Sequence, residues 1–133
     1  MNTAIPIKHY ISVGSHTAAY DAHPHRLVGM LFEGARDRVL RGRGHAERGA
    51  KAERTHCVRS AMLIVDTLRM SLDRERGGQI AENLDELYDY INRRLLEANI
   101  SEDTEALETV TEILTELESG WRAIESDVVV RPI

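Results

Sequence analysis

His16, His23 and His25 lie within ten residues near the start of the chain, the last two flanking Pro24. Two imidazoles at that spacing in a loop can clasp a metal, but a zinc or iron site wants three or four ligands with hydrogen-bonded support behind them. Only two are forced together here, and the acids that would complete a set lie on other helices. The spacing therefore predicts surface histidines and no metal. His56 and Cys57 put a base beside a thiol. Adjacent helical residues project about 100° apart and do not face each other, so the pair is no dyad. Cys57 instead falls in register with Ala61, Ile64 and Leu68, the pattern of a small buried hydrophobe rather than a nucleophile. A di-metal bundle needs an inward-facing Glu-x-x-His motif on each of two helices, and the chain does not supply that set. Gly77-Gly78 lacks the lysine and the preceding strand of a phosphate loop, so it reads as a hinge between helices. No residue set points to catalysis, a cofactor or a small-molecule substrate, which leaves surfaces as the place to look for function.

The elements behind those residues are helical. Residues 1–23 show no sustained period and read as a mobile N-terminal arm carrying Tyr10, Val13 and Tyr20. Pro24 suits the first turn of a helix, where its missing N–H costs nothing. Leu27, Met30, Leu31, Gly34 and Ala35 follow at helical spacing, widened by Val28 and Phe32. Arg41-Gly42-Arg43-Gly44 is expected to end this helix, since each glycine weakens it by about 1 kcal/mol. A second helix is expected from about Arg48 to Leu72, with Cys57, Ala61, Ile64, Leu68 and Leu72 as its seam and Val58, Met62 and Val65 beside it. A third starts at Gln79, carries Ile80, Leu84, Leu87, Ile91 and Leu95 on one stripe, and ends near Asn99. The fourth begins at Ser101 or Asp103, either of which can cap it, and its stripe runs Leu107, Val110, Leu114, Leu117, Trp121, Ile124. Four helices with short connections predict an all-α, antiparallel up-and-down bundle, one domain over residues 24–127, with 128–133 as a tail.

Composition agrees. Of 133 residues, 42% are hydrophobic and only 5% aromatic, with three prolines, which disfavours a β-rich or disordered chain. A lone Cys57 can make no internal disulfide, the start lacks a signal-peptide pattern, and no apolar run approaches the ~20 residues of a membrane span, so the expectation is a cytoplasmic protein. The net charge of −5 is unevenly spread. Residues 36–59 hold eight Lys/Arg against three Asp/Glu, while from Glu75 onward fifteen acids face five bases. The basic stretch has no aromatic neighbours for base stacking, so it reads as a solvated arginine surface facing acidic helices, not a nucleic-acid face.

Helix one holds more apolar residues than a bundle needs at about three per heptad. Leu27, Val28, Met30, Leu31 and Phe32 must be covered by the arm, by a partner helix laid in a groove, or by a core wider than usual; the pattern leaves these open.

The run Gly77-Gly78-Gln79-Ile80-Ala81-Glu82-Asn83-Leu84-Asp85-Glu86-Leu87-Tyr88-Asp89-Tyr90-Ile91, with Arg93-Arg94-Leu95-Leu96-Glu97-Ala98-Asn99 after it, closely resembles the flagellar export chaperones of the FliS family. So do Pro24 to Ala35 and the stretch from Asp103 to Trp121. The chain departs from the usual pattern with His23 before the proline and with Glu102-Asp103 where Asn-Asp is common. The resemblance implies a non-enzymatic cytoplasmic chaperone that binds the disordered C-terminal segment of flagellin, keeps it unpolymerised and delivers it to the membrane export gate of the flagellar type III apparatus. In some members it implies contact with an anti-sigma factor. It also implies that the arm, through a tyrosine matching Tyr10, covers part of the groove until substrate arrives. On this reading the groove is expected at Leu27, Met30 and Leu31, at Met62 and Val65, and at Tyr88, Ile91 and Leu95, each of which could equally fill the core. Trp121 is assigned to the core. A helical adaptor or regulatory module with another partner shares every periodicity argument and is the alternative.

Overall fold

The computed structural model describes residues 24–124, which form four helices: α1 (Pro24–Glu47), α2 (Lys51–Met70), α3 (Arg74–Ser101) and α4 (Thr104–Ala123). No β-strand occurs among these residues. The expected arm with Tyr10, His16 and His23, and the expected tail, lie outside the described residues. Connections of two or three residues force each helix to run back along the one before it. Cross-helix pairs bear this out. Gly34 approaches Ile64 and Gly42 approaches Val58, so α1 and α2 are antiparallel. Met62 meets Asn92 and Thr55 meets Asn99, so α2 and α3 are too. His25 meets Trp121 and Arg43 meets Glu108, which closes the ring between α1 and α4. Helices α1 and α3 stand at opposite corners, joined through the centre by the Phe32 and Tyr88 rings at 6.3 Å.

The first helix does not stop at its glycines. It runs through Gly42 and Gly44 to Glu47. Gly42 is buried, and a Cβ there would come within 3.2 Å of Val58 Cγ2, so the missing side chain lets α2 approach closely. Packing against α2 offsets the roughly 1 kcal/mol of helix propensity that argued for a break. Inside, Leu31, Phe32, Ala35 and Val39 of α1 meet Val58, Ala61, Ile64, Val65 and Leu68 of α2, Ile91 and Leu95 of α3, and Leu107, Val110 and Leu114 of α4, all essentially without solvent contact.

The third helix starts earlier than its periodicity suggested, at Arg74, with Asp73 as N-cap accepting from the Arg76 N–H at 3.2 Å. The glycine pair lies within it as a kink: Gly78 has φ 49° and ψ −124°, a conformation open to glycine and costly for other residues. At its other end Glu102 adopts φ 56°, ψ 38°, a left-handed stop made without glycine or asparagine. Asp103 then caps α4 by accepting from the Ala106 N–H at 3.2 Å. Trp121 is buried as assigned, and its indole N–H donates to the His25 carbonyl at 2.8 Å.

Candidate functional site

The expected groove residues divide by depth. Leu27, Leu31, Val65, Tyr88, Ile91 and Leu95 are buried in the bundle, while Met30 and Met62 pack on its edge and keep part of their surface in solvent. Burial pushes the Tyr88 phenol well above its usual range, so it is a neutral hydroxyl at any physiological pH. Of this set, Met62 meets α3 through its carbonyl, which accepts from Asn92, and Tyr88 meets Phe32 of α1.

On its α3 side the α2–α3 interface has an oily outer rim, Leu96 and Ile100, which periodicity did not single out, and α2 carries Leu63 on its outer face. Leu63 is 56% exposed, Leu96 47% and Ile100 72%. On α3, Leu96 lies between Asn92 and Asn99, both of which bond to α2, and Ile100 is one turn further on. On α2, Leu63 follows Arg59 by one turn and projects about 100° round the helix from Met62, on its outer face. A surface groove of about 700 Å³ runs along this part of α2, lined by Thr55, His56, Arg59 and Leu63 among others. Leu63 and Leu96 each adjoin a buried stripe residue, Ile64 and Leu95, and that offset is the sequence signal that could have found them.

Polar groups hold the same interface together. The Asn92 amide donates to Asp66 at 2.8 Å and to the Met62 carbonyl at 3.3 Å. Asn99 donates to the Thr55 carbonyl at 3.4 Å, and the buried Arg54 donates to the Asn99 carbonyl at 3.3 Å while facing Glu102 at 3.6 Å. Toward the kink, Asp85 accepts from Arg69 at 2.6 Å and from Arg74 at 2.9 Å. Those two guanidiniums, Arg69 first, hold the Asp85 carboxyl down at about 2.

Between α1 and α4, Glu118 is buried and accepts from Arg36 and from Arg122, the latter at 3.0 Å, and Arg43 faces Glu108 at 3.9 Å. The basic stretch thus turns part of its charge toward the acidic fourth helix. Cys57 is half-buried against the Gly42 backbone. Glu53 and His56 have the Glu-x-x-His spacing but both are exposed, and among the described residues no three His, Cys, Asp or Glu side chains converge as metal ligands. None of the described helices is long and apolar enough to cross a membrane.

This all-helical bundle is one expression of a shared pattern. The family model described as flagellar protein FliS matches residues 7–128. The chain belongs to the FliS family. It is 42% identical over 125 residues to the flagellar secretion chaperone FliS of Salmonella typhimurium strain LT2, covering 93% of each chain. It is also 42% identical over 118 residues to the flagellar secretion chaperone FliSB of Pseudomonas aeruginosa PAO1, covering 89% of this chain and 94% of that one. With the flagellar secretion chaperone FliS of Vibrio cholerae it shares 37% over 114 residues, 86% of this chain and 82% of the other. The FliS match encloses the whole bundle, so the α2–α3 seam and its rim lie within it, and membership places the chain in a class of flagellar export chaperones.

Proposed function

We propose that this protein binds the disordered C-terminal segment of flagellin in the cytoplasm, keeps it from polymerising early and hands it to the flagellar type III export gate. The observation that carries the reading is exposed oil on two neighbouring helices: a stable bundle leaves Leu96 and Ile100 on α3 and Leu63 on α2, beside the cationic Arg59, in water. Exposed apolar side chains on neighbouring helices suit an amphipathic segment that folds as it binds. Met30 and Met62, partly exposed and adaptable in shape, are proposed to extend the contact, with Leu27 of α1. Leu31, Val65, Tyr88, Ile91 and Leu95 are proposed to take part from inside, where a guest reaches them only if helices part. Tyr10 is proposed to compete with the guest for this surface. Folding the guest costs roughly 2–5 kcal/mol, so the contact has to be large and mostly apolar.

Calorimetry with the full chain and a peptide of flagellin's C-terminal segment tests this. The expected result is binding with a negative heat-capacity change, lost in a Leu63→Lys, Leu96→Lys double variant whose melting temperature stays within a few degrees of the parent. No heat of binding by the parent protein would overturn the reading.

A further inference from the structure

We infer that the groove on α2 reads an acid in its guest: it takes a helical segment that carries a carboxylate one turn from a large apolar side chain, the carboxylate going to Arg59 and the apolar side chain to Leu63. This rests on the proposed function and names the chemistry by which a guest is chosen.

The cations of α2 are not equivalent. Lys51 and Arg54 face Glu102 at 3.3 and 3.6 Å, and Arg69 bonds to Asp85 at 2.6 Å. Arg59 is exposed and has no ion pair or side-chain hydrogen bond among the described residues. The two acids of α2 stand away from it, Glu53 in the first turn and Asp66 turned to Asn92 of α3 at 2.8 Å. A guanidinium stays charged at any physiological pH and presents its donors in a planar fork that fits a carboxylate.

A second guanidinium flanks the same groove. Arg38 of α1 donates to the Ser60 hydroxyl at 2.9 Å and to the Gly34 carbonyl at 3.1 Å, and Ser60 is among the groove's lining residues. Both acceptors are neutral, so the charge of Arg38 is also left without a carboxylate among the described residues. Held by those two bonds, it adds to the positive field at the groove without having to move.

The shape of the groove suits a helix. It follows α2 from Lys51 to Leu63, about 18 Å at 1.5 Å per residue, which is the footprint of about three turns of a partner laid alongside. Ala52, His56, Arg59 and Leu63 are exposed at helical spacing along it and form one ridge. A carboxylate and an apolar side chain one turn apart on a guest meet Arg59 and Leu63 together. No aromatic side chain lines the groove among the described residues, so a nucleic acid would find charge there without a stacking partner. The rest of the chain sharpens the choice of face. From Glu75 onward fifteen acids face five bases, so the acidic part of a guest is repelled by α3 and α4 and steered toward α1 and α2.

The test is fluorescence anisotropy of the full chain with two labelled peptides: flagellin's C-terminal segment, and the same segment with every Asp and Glu changed to Asn and Gln. The parent protein is expected to bind the acidic peptide about fivefold or more tighter than the amide one, a preference that shrinks as salt rises from about 0.02 to about 0.3 M. Arg59→Gln is expected to erase the preference without changing affinity for the amide peptide, while Arg59→Lys, which keeps the charge and loses the fork, keeps part of it. Arg26→Gln removes another exposed charge, about 18 Å along α1 from Arg38, and is expected to leave the preference intact. Equal affinity for the two peptides, a preference that survives Arg59→Gln, or an equal loss in Arg26→Gln would each overturn the inference. If the parent binds neither peptide, the proposed function fails. The same comparison is then read with a designed helical peptide of Ala, Leu and Glu and its Gln counterpart, where no preference for the acidic one overturns the inference by itself.

Discussion

Asp85 binds two guanidiniums at once, Arg69 from the end of α2 and Arg74 from the first turn of α3, and so holds the corner between them. Its carboxyl is held at about 2, below its ordinary 3.8. A depressed folded-state value stabilises above the unfolded value and is lost as pH falls through the folded one. Asp85→Asn is therefore expected to lower stability at pH 7 by about 1 kcal/mol, the full shift being discounted for screening by nearby solvent. Denaturation measured across pH should show this gap shrinking from pH 4 downward and closing near pH 2, where the parent carboxyl is itself protonated. At Gly42 the constraint is steric. A valine there drives its side chain into Val58, already 3.2 Å from the site of a bare Cβ, and is expected to cost about 1–3 kcal/mol by chemical denaturation.

The ends of α3 carry predictions of their own. A methyl group on Gly78 would meet open space, yet the φ of 49° and ψ of −124° are poor for any L side chain, so Gly78→Ala should destabilise by about 1–3 kcal/mol through backbone strain alone. At Glu102 two effects oppose each other. Its carboxylate faces Lys51 at 3.3 Å and Arg54 at 3.6 Å, but its left-handed backbone is disfavoured for a glutamate. Glu102→Gln removes the charge and keeps the strain; Glu102→Gly removes both. The glycine variant is thus expected to be more stable than the glutamine variant by about 1 kcal/mol, read from paired melting curves. Helix four was the most legible element, because its stripe from Leu107 to Trp121 repeats cleanly and Asp103 caps it. The extent of α1 was not, because the need for Gly42 arises only when α2 lies against it. The rim was missed for a related reason. Leu96 adjoins Leu95 in sequence, and which of the two turns inward depends on where α2 stands.

At the scale of the molecule, opposite charges are distributed so that sequence halves of different sign meet across α1 and α4, with Glu118 buried between Arg36 and Arg122. That side of the bundle is closed by apolar packing and by ion pairs around one buried carboxylate. The α2–α3 side is closed by ion pairs and amides as well, Arg69 to Asp85 at 2.6 Å and Asn92 to Asp66 at 2.8 Å among them. The apolar stripes predicted the bundle but could not say which stripe residues also meet a partner. Periodicity reports that a side chain faces inward; it does not report how firmly the facing helix is held.

The indole of Trp121 stacks on His25 with ring centroids 4.8 Å apart and bonds to the carbonyl of that same residue, one position past Pro24 where α1 begins. It is the only tryptophan in the chain. Its fluorescence therefore comes from a single address, the root from which the leading segment departs, and any event that tugs on that root should shift its emission. Nature has in effect fitted the molecule with its own dye.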